Sequence, residues 1–303
     1  MTLIVIGGAT ATGKSDLAVA LAKELKGHVI NADSMQLYKG MDIGTAKLSM
    51  AERQGVQHHL IDVLSVRQEA SVAQYQIDAR NIIDQLLKQG VPAIVVGGTG
   101  LYIKAILDDL NFPDTDPQVR EKITHEAERL GADVMHQRLA DLDPAAAAAI
   151  PKENLRRVVR ALEVIALTGK PYTANLPRAG STKYPQAKQF GLVMERETLQ
   201  ERIDLRVEKM WEKGLVREVR DLMSEGLLEG RTAQAALGYA QIIRFAQGEL
   251  SEFEAKEETK RATRQYARRQ ETWFSRDARI SWLKKAGTQE LMEQVMSSTI
   301  SNI

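Results

Sequence analysis

The chain opens on an unbroken apolar run, Leu3-Ile4-Val5-Ile6, that stops at Gly7-Gly8. A short β-branched run closed by glycine is the pattern of a strand buried on both faces, so residues 2–6 are predicted as a first parallel strand. From Ser15 the apolar period changes. Leu17, Leu21 and Leu25 fall on one helical face with alanines between them, and the pattern ends near Gly27. Val29-Ile30 then predicts a second strand with Asp33 at its carboxyl end. Ser71 followed by Gln74 has capping-box spacing, and Ile82, Ile83, Leu86 and Leu87 carry that helix to Gly90. Residues 92–96 read as a further buried strand, followed by the tight turn Gly97-Gly98-Thr99-Gly100. Strand, loop, helix, strand is the opening of a doubly wound α/β sheet, whose ligands gather at the strands' carboxyl ends.

After Asn111-Phe112-Pro113 the pattern becomes charged, alanine-rich and helical, with helix-start signals at Asp116-Pro117 and Asp143-Pro144. No strand pattern returns until 189–194. Residues 113–186 are therefore expected to be an inserted all-helical domain, with the turn-rich Gly169 to Pro185 stretch as its return loop. The core domain would comprise 1–112 and 187–303. Its last third reads as helices over about 196–224, 232–246 and 251–275, with no internal repeat.

At 303 residues the chain exceeds one comfortable core, which agrees with two domains. Its 44% hydrophobic and 27% charged residues are a globular balance. The 41 basic and 40 acidic side chains nearly cancel, so a nucleic-acid partner would have to be held by locally clustered Lys and Arg. The absence of cysteine excludes disulfides and thiolate metal sites. No apolar run approaches a membrane span, and the first strand carries no signal-peptide features. A complete, cytoplasmic chain, able to act as a monomer, is the expectation.

The segment Gly8-Ala9-Thr10-Ala11-Thr12-Gly13-Lys14-Ser15 fits G-x-x-x-x-G-K-[ST], with the strand before it and the helix after it that this motif requires. Glycines let the backbone wrap a polyphosphate and aim amide N–H groups at it. Lys14 supplies a point charge to the terminal oxygens, and the Ser15 hydroxyl is suited to ligate Mg²⁺. ATP-dependent kinases, nucleotide hydrolases and transferases that expel diphosphate all use such a loop, so it does not name the substrate.

Further strings narrow the choice: Asp33-Ser34-Met35-Gln36-Leu37-Tyr38, Met41 to Lys47, Val56 to Asp62, Gly97 to Tyr102, Arg157 to Val164, and Thr263 to Gln270 with Trp273. In this order, over nearly the whole chain, they resemble the tRNA dimethylallyltransferase family. The resemblance implies a P-loop NTPase-like parallel sheet with flanking helices plus the helical insertion. It implies dimethylallyl diphosphate as donor, bound by the loop in place of ATP. The implied acceptor is the N6 amine of the adenosine 3′ of the anticodon in tRNA, with Mg²⁺ required and diphosphate released. A kinase, or a prenyltransferase acting on free adenine nucleotides, is the alternative.

An exocyclic adenine amine becomes acidic as its new N–C bond forms, and a carboxylate is its natural proton acceptor; Asp33 is the expected general base. Lys14 and the loop amides would stabilise the departing diphosphate, with Arg206 reaching it from a later helix and Thr99 bonding near the reacting centre. The stacked adenine must be extruded, and Ser34, Met35 and Gln36 beside Asp33 are expected to meet it and its neighbours. The segment Arg156-Arg157-Val158-Val159-Arg160 is expected to grip tRNA, because 156 and 157 each share a helical face with 160. Arg120 is assigned there too. Residues 260–279 hold seven basic side chains against two acidic ones and are expected to form a backbone-binding face, with Tyr266, Trp273 and Phe274 mostly as anchors. His58-His59 cannot both face one metal from a strand, so packing is expected of them.

Overall fold

The computed structural model describes residues 2–175, 182–284 and 286–300. The apolar opening run forms β1 (Leu3–Gly7), and the glycine-rich loop leads into α1 (Lys14–Leu25). The chain continues through β2 (His28–Asn31), a two-residue β3 (His58–His59), α2 (Val72–Lys88), β4 (Ala93–Val96) and α3 (Gly100–Leu107). Four helices follow: α4 (Pro117–Leu130), α5 (Ala132–Leu142), α6 (Pro144–Ala149) and α7 (Leu155–Thr168). The chain then returns to β5 (Lys188–Val193), α8 (Arg196–Glu212), α9 (Leu215–Ser224), α10 (Tyr239–Ala246), α11 (Glu252–Phe274), β6 (Ile280–Lys284) and α12 (Thr288–Ile300).

The six strands among the described residues pair in parallel, in the order β3-β2-β4-β1-β5-β6. Parallel neighbours need crossovers, and the helices that supply them cover both faces of the sheet. The two-residue period of β1 shows this directly. Leu3 and Val5 face a layer containing Tyr75 and Ile83 of α2 and Tyr102 and Ile106 of α3, whereas Ile4 and Ile6 face Leu17 and Leu21 of α1 and Val295 of α12. A third apolar cluster, including Tyr38, Val219, Leu222 and Tyr239, lies under α9 and α10. No described helix is long and apolar enough to cross a membrane.

The chain divides into two compact units, Met1–Leu107 with Tyr184–Ile303, and Asp108–Lys183. The second unit packs its own core from Ile123, Met135, Leu139, Val158 and Leu162. Asp116 and Asp143 cap α4 and α6 with their carboxylates, each followed by proline at the first helical position. The predicted return loop lies partly outside the described residues, at 176–181.

Three readings of the last third are corrected. The single helix expected over 196–224 is two, broken where Gly214 adopts φ 96°, a left-handed conformation that favours glycine. Over 232–246 the helix begins only at Tyr239, after Gly238 at φ 84°. Ile280–Lys284, not expected to be a strand, adds β6 at the sheet edge, and its mostly solvent-facing side chains explain why no buried-strand pattern marked it.

Candidate active site

Backbone conformation prepares the loop after β1. Gly8, Ala11 and Gly13 all have positive φ, at 132°, 64° and 96°, which curls the chain into the concave form that binds anions. α1 starts at Lys14 with no side-chain cap, so its first amides are free of the usual Ser or Asp partner. The loop is braced internally: Thr12 Oγ1 and Lys14 Nζ both donate to the Ala9 carbonyl, at 2.9 and 2.5 Å. Arg206 of α8 donates to Thr10 Oγ1 at 3.2 Å, which brings the predicted second cation to the loop. Burial, reinforced by the Arg206 charge and opposed by Asp33, pulls the Lys14 ammonium down to about 7. An anion arriving here restores what the site lacks.

Asp33 follows β2. Asn31 holds its backbone, accepting from the Asp33 N–H at 2.9 Å and donating to the Asp33 carbonyl at 2.9 Å. Its carboxylate accepts from Met35 N–H at 2.9 Å, the turn role expected of an Asp at a strand end. Burial raises its pKa, against the Met35 and Gln36 amides and the charges of Lys14 and Arg206. Asp33, Lys14 and Arg206 therefore share one electrostatic environment, although Arg206 is more than 170 residues from the other two. Thr99 Oγ1 accepts from Ser34 N–H at 3.1 Å, so the turn after β4 is tied to the segment beside Asp33. Gln36 spends its amide on the Thr45 carbonyl at 3.0 Å, while Met35 packs partly against the cluster under α9.

Two residues of α11 matter more than their sequence suggests. Buried Gln270 accepts from Thr10 N–H at 2.8 Å and donates to the Gly98 carbonyl at 2.9 Å, fastening the phosphate loop to the turn after β4. Gly98 is required by this fit, because a Cβ there would stand 2.2 Å from the Gln270 amide nitrogen. The Tyr266 hydroxyl lies beside the same group; burial first, and then the Asp33 charge, push it up to about 12. Within the 263–270 string Tyr266 was expected only as an anchor and nothing singled out Gln270, since a buried glutamine on a helix becomes meaningful only when its partners are known.

The 41–47 segment is built as a rigid wall. Glu218 of α9 accepts from the amides of Asp42, Ile43 and Gly44 at 3.1, 2.7 and 3.2 Å, and Tyr239 donates to the same carboxylate at 2.5 Å. Lys47, its side chain buried, donates to the Tyr38 carbonyl at 2.8 Å and pairs with Asp42 and Asp62. Between this wall and α8 lies a cleft of about 830 Å³ whose lining includes Ala11 of the phosphate loop and Arg206.

Other expected contacts fall differently. In the helical unit Arg156 and Arg157 are exposed, whereas Val158 and Val159 are core residues whose side chains present no surface to a nucleic acid. Arg120 and Arg160 converge on Glu163, which is 0% exposed, at 3.4 and 2.9 Å, and Arg160 also donates to the Pro113 carbonyl at 2.7 Å. Of residues 156–160 only Arg156 and Arg157 are exposed, and among the described residues neither has an ion-pair partner. The basic face expected over 260–279 is partly neutralised, with Arg268, Arg269 and Arg276 left without a carboxylate partner among the described residues. Lys260 pairs with Glu208 and Glu257, Arg261 with Glu258, Arg264 with Asp204 at 2.7 Å, and Arg279 with Asp277. Phe274 is buried, as expected of an anchor, but Trp273 is 44% exposed. His59 stacks on His28 with ring nitrogens 2.9 Å apart, a packed arrangement; burial lowers the pKa of both His58 and His59.

Comparison with known proteins agrees with this architecture. The family model described as IPP transferase matches residues 36–277. A tRNA dimethylallyltransferase of Thermobifida fusca is 58% identical over 93% of this chain and 89% of its own, and one of Streptomyces griseus is 56% identical with the same coverage. The crystal structure of the Bacillus halodurans tRNA isopentenylpyrophosphate transferase superposes with TM-score 0.72 at 37% identity, covering 99% of this chain and 97% of the other. A eukaryotic dimethylallyltransferase acting on tRNA superposes with TM-score 0.82 at 28% identity, over 99% of this chain and 78% of its own. The match over most of the chain, with relatives of this identity, makes the chain a member of the IPP transferase family of tRNA dimethylallyltransferases.

Proposed function

We propose that the chain transfers a dimethylallyl group from dimethylallyl diphosphate to the N6 amine of the adenosine 3′ of the anticodon in tRNA. The carrying observation is the shared electrostatic environment of Asp33, after β2, with Lys14, after β1, and Arg206 of α8. A carboxylate opposite two cations suits a reaction that loses a proton at one end and releases diphosphate at the other. The amine nitrogen forms its bond to the allylic carbon as the C–O bond to diphosphate breaks. The electron pair leaves with the diphosphate, and the amine proton passes to Asp33. Loop amides, Lys14 and Arg206 receive the negative charge that grows on the leaving oxygens.

The residues suit Mg²⁺. Ser15, in the first turn of α1, offers a hard hydroxyl oxygen, and this ion takes few protein ligands beside substrate phosphates and water. When bound, the ion neutralises charge on the diphosphate. A tRNA substrate puts the work in the cytoplasm, and one chain carries every group named, so a monomer suffices.

The test is incubation with labelled dimethylallyl diphosphate and either unmodified tRNA or AMP. Label is expected in tRNA alone; label only in AMP would replace this reading with a small-molecule prenyltransferase. Asp33→Asn, which keeps an oxygen for the Met35 amide, is expected to lower kcat by about 10²–10⁴-fold with little change in donor affinity.

A further inference from the structure

Asn31 ends β2 and is buried, at 3% exposed, where the sheet stops supplying partners to the main chain. Toward β4 the pairing carries on past it. The Ala32 N–H donates to the Val96 carbonyl at 2.7 Å, and the Ala32 carbonyl accepts from the Thr99 N–H at 3.2 Å. Toward the edge it does not. β3 pairs with β2 only through His58 beside Val29 and His59 beside Ile30, and Leu60 then turns away at φ 59°. From this point the Asn31 side chain does the work of a ladder. Its Nδ2 donates to the carbonyls of Leu60 and Asp33 at 2.8 and 2.9 Å, using both amide hydrogens, and its Oδ1 accepts from the Asp33 N–H at 2.9 Å. The Asn31 carbonyl is held in turn by the hydroxyl of Tyr75, at 2.8 Å, whose ring stacks on Tyr102.

This arrangement bears on Asp33 more than on the sheet. An asparagine that bonds the backbone two residues on closes a turn, and here both the N–H and the carbonyl of Asp33 are taken by the one side chain. With the planar peptides on either side of it fixed, the Asp33 Cα–Cβ bond has a single direction. Its carboxylate is then steadied by the Met35 N–H. Resting on the function proposed above, we infer that Asn31 is a positioning residue for the proton acceptor: it touches no substrate, and its amide sets where the Asp33 carboxylate stands. A base must lie within hydrogen-bond reach of the proton it takes, and a site works only when held within about 0.5 Å of its productive geometry. The Oδ1 bond to the Asp33 N–H is the part that matters for catalysis; the bond to Leu60 holds the edge of the sheet.

The deciding comparison is Asn31→Ser against Asn31→Ala, which leave the same space behind and differ by one hydroxyl able to accept from the Asp33 N–H. With labelled dimethylallyl diphosphate and unmodified tRNA, the alanine variant is expected to lose about 100-fold in kcat, the cost of a base displaced by about 1 Å. The serine variant, whose hydroxyl closes the same turn more weakly, should lose only about fivefold. Both KM values should stay within about twofold of wild type, because the groups that bind donor and tRNA are untouched. Equal kcat in the two variants would mean that Asn31 only fills space, and a raised KM with unchanged kcat would mean that it shapes a binding surface; either overturns the inference. In an Asp33→Asn background the alanine substitution should cost less than about threefold, since a base that is gone needs no positioning. The full loss there also overturns it. Should the alanine variant not fold, Asn31→Leu, which keeps the volume without an acceptor, carries the same comparison. Wild-type kcat in Asp33→Asn, or a wild-type enzyme that moves no label, would instead refute the proposed function on which the inference rests, so the two failures are told apart.

Discussion

Lys14 is a buried ammonium whose nearest strong influences conflict. Burial and Arg206 favour its neutral form, while Asp33 opposes them, and the balance lies at about 7. At pH 8 the free enzyme holds Lys14 mostly neutral, and a diphosphate arriving against it favours the charged form. Donor binding at pH 8 is therefore expected to take up close to one proton, and at pH 6, where Lys14 is already charged, much less. Calorimetric titration with donor in two buffers of different ionisation heat measures this, and equal heats at pH 8 would contradict it. The sign follows from the depressed value: uptake grows as pH rises through 7 and fades again as the bound-state value is passed. Asp33 moves the other way, its acid form favoured by burial, which makes it a stronger base than a surface aspartate once ionised.

At the scale of elements, three strand ends and one long helix assemble the site. β1 and β2 deliver the phosphate loop and Asp33, the turn after β4 delivers Thr99, and α11 locks them through Gln270. Gln270→Leu keeps the volume approximately but strands a loop amide and a carbonyl that are otherwise bonded. Each lost buried partner costs about 1–3 kcal/mol, so a loss of about 2–6 kcal/mol is expected in urea unfolding, together with a raised donor KM. An unchanged midpoint would show that water replaces the side chain. Gln265, exposed on the same helix, serves as the control. The motif and its flanking pattern located the loop because its chemistry is local: fixed glycines, a lysine and a following helix. Gln270 was not legible, because its meaning lies in two partners more than 170 residues away.

Across the whole molecule, 41 basic against 40 acidic side chains leave no general attraction for RNA, so affinity must come from unpaired cations. Among the described residues Arg157 has no ion-pair partner, whereas Arg160, three residues on, does. Arg157→Ala is expected to raise the tRNA KM and reduce the salt slope of binding by about one, leaving donor constants unchanged. Arg160→Ala should instead lower stability by about 1.5–3 kcal/mol, because it removes a charged partner from buried Glu163. Filter binding across a salt series and chemical denaturation separate the two effects; the same phenotype from both variants would refute the division. What the sequence alone determined is the local and periodic part: the strand–loop–helix opening, Asp33 after the second strand, the helical character of the insertion and the family strings. Each depends on neighbours within a few residues or on one face of one element. Tertiary structure decided which charges remain free. Whether an arginine stays exposed or pairs with a buried carboxylate depends on what packs opposite, and residues that meet across tens of positions leave no periodic trace in the chain.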